Sequence, residues 1–209
     1  HAMMKSPAIK DVMTLKKEDQ ERYGSSQLGD ACALARNLVR AEAGTRFIMI
    51  SQPGWDMHGS IYKKPGGLYA RTNELDTAFS ALLSDLQDAK GPDGHSLLEK
   101  TLVVCMGEFG RTPGELTVNT GRDHYPNAFT GVFAGGGTQG GRVLGATDEL
   151  GAKIKDPGWH KQRPVYFEDV AATIYSSLGI DWTKKITNTP SGRDFEYIEH
   201  QSGTEFIDP

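Results

Sequence analysis

The chain has 209 residues, a net charge of −4, 37% hydrophobic and 24% charged residues. That is enough apolar polypeptide to bury a core, and it is most simply one domain of an ordinary globular protein. The slightly acidic balance excludes a general nucleic-acid binder, which would show a basic stripe, and no apolar run approaches the ~20 residues of a membrane-spanning helix.

His1-Ala2-Met3 reads as a cloning scar, with no signal peptide behind it. Residues 1–26 form a polar N-terminal segment, read as a short solvated helix and a linker around Lys16-Lys17-Glu18-Asp19 and Gly24-Ser25-Ser26. From Leu28 the positions Leu28, Ala31, Cys32, Ala35, Leu38 and Val39 recur at helical spacing, and Gly44 supplies the stop. Arg46 to Ser51 reads as a buried strand. A second amphipathic helix carries Leu75, Ala78, Phe79, Leu82, Leu83 and Leu86 and ends before the turn Gly91-Pro92-Asp93-Gly94.

Thr101 to Met106 is apolar almost throughout, the pattern of a strand covered on both faces. Phe129 to Ala134 is a further strand, Arg142 to Leu144 a short one, and Phe167, Val170, Ala171, Ile174, Tyr175 and Leu178 mark the last helix. Residues 183–209 read as an irregular tail behind an α/β domain spanning 27–182. Cys32 and Cys105 lie in a helical and a strand-like pattern, as buried free thiols rather than a disulfide or zinc framework.

Strands alternating with helices predict a layered α/β/α fold with a mainly parallel central sheet. One connection is different. Residues 109–127 hold three Gly, two Pro and no helical period. Without a crossover helix, the strand at 129–134 must run antiparallel to the one at 101–106. A loop of about this length is uncommon unless it is functional or disordered.

Three polar clusters fall in the predicted loops: Gly54-Trp55-Asp56-Met57-His58-Gly59, Gly107-Glu108-Phe109-Gly110-Arg111-Thr112-Pro113 and Gly121-Arg122-Asp123-His124-Tyr125-Pro126. The antiparallel turn brings the second and third to one sheet edge, where open α/β sheets bind ligands. Asp56 and His58 project to the same side of an extended segment, so both reach one ion. Asp123-His124 offers two ligands, or one ligand and the carboxylate that fixes its tautomer. Arg111 and Arg122 suit an anionic oxygen. Carboxylate, imidazole and guanidinium together suit metal-assisted chemistry on a phosphate or sulfate ester. Each cluster also has a plain reading as a turn, an ion pair or a surface loop. His160, in a turn-rich stretch, reads as a surface histidine, and Gly135 to Gly141 as a flexible turn, because no helix opens after it.

In this order the clusters resemble the C-terminal half of DUF1501 proteins, a bacterial family placed in the alkaline phosphatase/sulfatase superfamily. The resemblance covers residues 25–195. It implies an alkaline phosphatase-like core fragment, a partial metal-dependent hydrolase of phosphate or sulfate esters, and an exported or periplasmic parent protein. It maps metal ligation by Zn, Mn or Ca to Asp56, His58, Glu108 and His124, with Asp123 as a further candidate. It maps binding of the anionic substrate to Arg111 and Arg122. Where relatives end this strand in Asp-His, the chain has Glu108-Phe109, one imidazole fewer. The nucleophile-bearing N-terminal part would lie ahead of Leu28, so the chain is expected to be inactive alone. A sheet without its first strands would expose an edge and promote self-association. The competing reading is a non-catalytic binding or assembly module on a degenerate hydrolase fold.

Overall fold

Helix formation follows the apolar spacing wherever that spacing is long enough. In the computed structural model, which describes residues 9–198, the helices are α1 (Ile9–Val12), α2 (Lys17–Tyr23), α3 (Gln27–Arg40), α4 (Gly67–Asp88) and α5 (Phe167–Ser177). Ser26 starts α3 by accepting the Gly29 N–H at 3.1 Å, which satisfies one of the orphan donors of the first turn. His1 to Met3 and residues 199–209 of the expected tail lie outside the described residues.

The strands are β1 (Val103–Met106), β2 (Gly110–Arg111), β3 (His124–Tyr125), β4 (Gly131–Ala134), β5 (Ala146–Thr147), β6 (Ile154–Asp156), β7 (Lys185–Ile186) and β8 (Phe195–Glu196). They pair as β1–β4, β2–β3, β5–β6 and β7–β8. β1 and β4 run antiparallel, with Val103 opposite Ala134 and Met106 opposite Gly131, as the missing crossover helix requires.

No parallel central sheet is seen among the described residues, where each ladder has two strands. Several local expectations change. Arg46 to Ser51 enters none of these ladders, and Phe47 and Met49 are 62% and 78% exposed. Its composition supplies strand propensity, but a strand also needs a partner to take up its N–H and C=O groups. Arg142 to Leu144 is likewise unpaired, the ladder beginning instead at Ala146. The tail is not wholly irregular, since β7 and β8 pair antiparallel, with a Lys185–Glu196 ion pair at 2.9 Å, and Ile198 is buried.

The chain divides into two units. The first runs to Thr101 and takes in Arg111–Tyr125; the second comprises Leu102–Gly110 and the chain from Pro126 onward. In the second unit Phe129 stacks on Phe167 at 4.2 Å, and the buried Asp169 carboxylate accepts hydrogen bonds from the Tyr166 N–H and from Nη1 and Nη2 of Arg163. Cys105 on β1 is half-buried, and burial raises its thiol pKa.

The core of the first unit sits among α2, α3 and α4. The N-terminal segment is not simply solvated, because Tyr23 is only 1% exposed. Asp19 and Tyr23, one helical turn apart, both face inward. Arg36 donates to Asp19 Oδ1 at 2.7 Å and to Asp85 Oδ2 at 3.0 Å. The Tyr23 hydroxyl donates to Asp85 Oδ2 at 2.8 Å, and Arg22 Nε to Asp85 Oδ1 at 2.7 Å. Burial alone would raise the Asp85 pKa, but hydrogen bonds from Tyr23, Arg36 and Arg22 leave it below the usual carboxylate value. Asp19 is lowered in the same way, against its own burial, by the Lys16 N–H and by Arg36.

Asp85→Ala would leave Arg36 and the Tyr23 hydroxyl buried without their shared acceptor. Chemical denaturation should show a loss of about 3–5 kcal/mol, the range for breaking a buried pair; a loss below about 1 kcal/mol would refute the structural role. Because both carboxylates are lowered in the folded state, their contribution is fully present above the unfolded value of about 4. It should be lost as pH falls through the folded values.

Candidate metal centre

Two loops of the first unit meet backbone to backbone. The Ser60 and Ile61 N–H groups donate to Asn119 O at 2.9 Å and Thr120 O at 3.0 Å, and the Arg122 N–H donates to Met57 O at 3.0 Å. Thr117 Oγ1 reaches His58 O at 3.3 Å and accepts the Gly121 N–H at 3.1 Å. Gly121 is buried, and a Cβ built there would overlap the backbone of His58 and Gly59. Only glycine allows this approach. The legs of the second loop are held by the Thr112 N–H on Asp123 O at 2.9 Å and the Asp123 N–H on Thr112 Oγ1 at 3.1 Å.

This crossing brings together residues 66 positions apart. Asp56 Oδ1 lies 2.9 Å from His58 Nε2 and 2.9 Å from His124 Nε2, and the two Nε2 atoms are 3.2 Å apart. His58 Nδ1 is 2.7 Å from Asp123 Oδ1. Arg111 donates to Asp56 Oδ1 at 2.7 Å. Among the described residues, Asp56, His58 and His124 form the group whose donor atoms converge closely enough to hold a metal ion, and all are exposed.

The spacing fits a metal ion. With Zn–N bonds of 2.0–2.1 Å, ligand atoms would stand about 3.3 Å apart in a tetrahedron and about 2.9 Å apart on one octahedral face. Asp123 takes up Nδ1 of His58 and so selects the tautomer whose Nε2 lone pair faces the centre. Two imidazoles and a carboxylate suit Zn or Mn better than Ca, which prefers a shell of oxygens. Side-chain hydrogen bonds join these groups. Hydrogen bonding to Asp123 raises the His58 pKa, with the charges of Asp56 and Asp123 adding to it. Hydrogen bonds from His124 and then Arg111 lower that of Asp56 to about 2.

The remaining expected residues fall elsewhere. Glu108 is exposed, belongs to the second unit and stands outside the group of three. Asp123 supports a ligand from behind. Arg122, expected to hold an anion, directs its Nη1 to Thr112 O and, at 3.1 Å, to Gly114 O, which ties it to its own loop. His160 is exposed beside Trp159, as read from sequence. The roles of Gly121 and Thr117 were missed; the only signal was a glycine two residues ahead of Asp123.

Over residues 2–205 the chain matches the family described as "Protein of unknown function (DUF1501)", and it belongs to that family. No curated protein and no solved structure matches it.

Gly121→Ala should force the loops apart, costing about 1–3 kcal/mol as an overpacking substitution and abolishing convergence of the three donors. Gly140→Ala, whose Cβ would meet nothing, is the control. Equal melting temperatures for the two variants would refute the close-approach argument. In metal-free protein, Asp123→Asn should lower the His58 pKa in an NMR titration. The raised pKa favours the folded state below the unfolded value near 6.5 and loses that contribution as pH rises through the folded value.

Proposed function

We propose that the chain carries a divalent metal site in a hydrolase-type domain acting on phosphate or sulfate esters. Asp56, His58 and His124 are the ligands in this reading, and Asp123 is the positioning carboxylate. The observation that carries it is the triangle of one carboxylate oxygen and two imidazole Nε2 atoms with edges of 2.9, 2.9 and 3.2 Å. Three protein ligands with an open side characterise catalytic rather than structural zinc sites. A metal bound there would act as a Lewis acid on an ester oxygen.

The chain's own residues do the rest. Asp123 holds the His58 ring in place, Asp56 stays ionised across the physiological range, and Arg111 supplies positive charge beside the donors. The half-exposed setting leaves room for a substrate to approach from solvent. Kinship with the alkaline phosphatase/sulfatase superfamily belongs to this reading too, as does the expectation that the chain by itself turns over esters poorly.

Metal should bind at one equivalent in calorimetry with Zn²⁺ or Mn²⁺ and raise the melting temperature, with EDTA reversing the shift. His58→Ala and His124→Ala should each weaken binding by about 100-fold or more, and Asp123→Asn by about 10-fold. Glu108→Gln should leave it unchanged. Because His58 must give up a proton to ligate, affinity should fall as pH drops below its raised pKa, with proton release on binding. Absence of stoichiometric metal at pH 8 would sink the assignment, and the assembly-module reading would replace it.

A further inference from the structure

The oxygen that completes the donor triangle is already in use. Asp56 Oδ1 accepts from Arg111 at 2.7 Å while lying 2.9 Å from both imidazole Nε2 atoms. A carboxylate oxygen has two lone pairs, so it cannot serve a metal and keep all of these contacts. A divalent ion within bonding distance of Oδ1 would also stand a few ångströms from the guanidinium, with like charge and little between them.

We infer that Arg111 is a built-in cation that holds Asp56 until a metal displaces it, and that the displaced guanidinium then holds a tetrahedral oxyanion beside the metal. This rests on the metal reading of the same three residues. Cation and anion binding are thereby coupled through one oxygen atom. Arg111 fits the second task because its planar fork matches two oxygens of a phosphate or sulfate group. Its backbone is held beside the site, since the adjacent Thr112 bonds the loop carrying Asp123 and His124. Arg122 differs in directing its Nη1 to Thr112 O and Gly114 O of its own loop. By linkage, whatever factor the metal adds to anion affinity, the anion must add to metal affinity.

The test is calorimetric titration of the full chain with Mn²⁺ alone, inorganic phosphate alone, and each in the presence of the other, for wild type and R111Q. Wild type should bind phosphate about 5-fold or more tightly with Mn²⁺ present, and Mn²⁺ more tightly with phosphate by the same factor. R111Q should bind Mn²⁺ alone more tightly than wild type, because the competitor is gone, and should show coupling of less than about 2-fold. Circular dichroism and melting of R111Q check that it folds. R111K, which keeps the charge without the fork, should hold phosphate more weakly in the metal-loaded state and serves if R111Q does not fold.

Failure of wild type to bind Mn²⁺ would overturn the metal reading itself. Normal metal binding with R111Q equal to or weaker than wild type would overturn only the competition. So would phosphate affinity that ignores Mn²⁺, the result if Arg111 merely slides to Asp56 Oδ2. Coupling that survives in R111Q would assign it to direct contact between phosphate and metal, and the role of Arg111 would fall.

Discussion

The contact between Gly121 and the backbone of His58 is the constraint on which the candidate centre depends. It has no charge and no side chain, yet it sets where Asp123 and His124 stand relative to Asp56 and His58. The surrounding main-chain hydrogen bonds, from Ser60, Ile61 and Arg122, fix the register of that approach. The candidate donor groups are therefore carried on loops held by backbone rather than by buried side chains. Such mounting suits a site open to solvent, because main-chain bonds do not require the donors to be desolvated first.

The first unit uses polar groups in two contrasting ways. Around Asp85 they are buried, satisfied and structural: three donors converge on one carboxylate inside a helical core. Around Asp56 the same number of contacts converges on one oxygen at the surface. The first arrangement is costly to break because the survivors stay buried. The second is screened by water and by salt, so it contributes little to folding and its partners are easily exchanged. That difference marks Asp56, not Asp85, as the place where ligand exchange would occur.

Much of this was legible in the sequence, and the failures share a cause. The helices at 27–40 and 167–177, and the 75–86 part of the one at 67–88, declared themselves through local apolar period, and the Gly- and Pro-rich stretch after Met106 correctly implied an antiparallel return. The Asp-x-His and Asp-His pairs were readable because their chemistry is carried by residue type. Arg46 to Ser51 was misread because a strand requires a partner that composition does not reveal. The buried side of α2 was hidden by its charged residues, since Asp19 is paired with a residue seventeen positions away. The loop contacts of Arg122 were hidden for the same reason: whether a guanidinium meets a carbonyl depends on the path of a loop.

The division of the chain has a further consequence. Arg111 to Tyr125 belongs to the first unit, but it leaves and returns through β1 and β4, which belong to the second. The donors are thus written in two separated stretches, and a fragment ending at Thr101 would keep Asp56 and His58 while losing Arg111, Asp123 and His124. Met106 and Gly131 face each other in the β1–β4 ladder, so the chain between them is a closed loop, and closing a longer loop adds little to its entropic cost. The two stretches of sequence that carry the candidate donors therefore have to be inherited together.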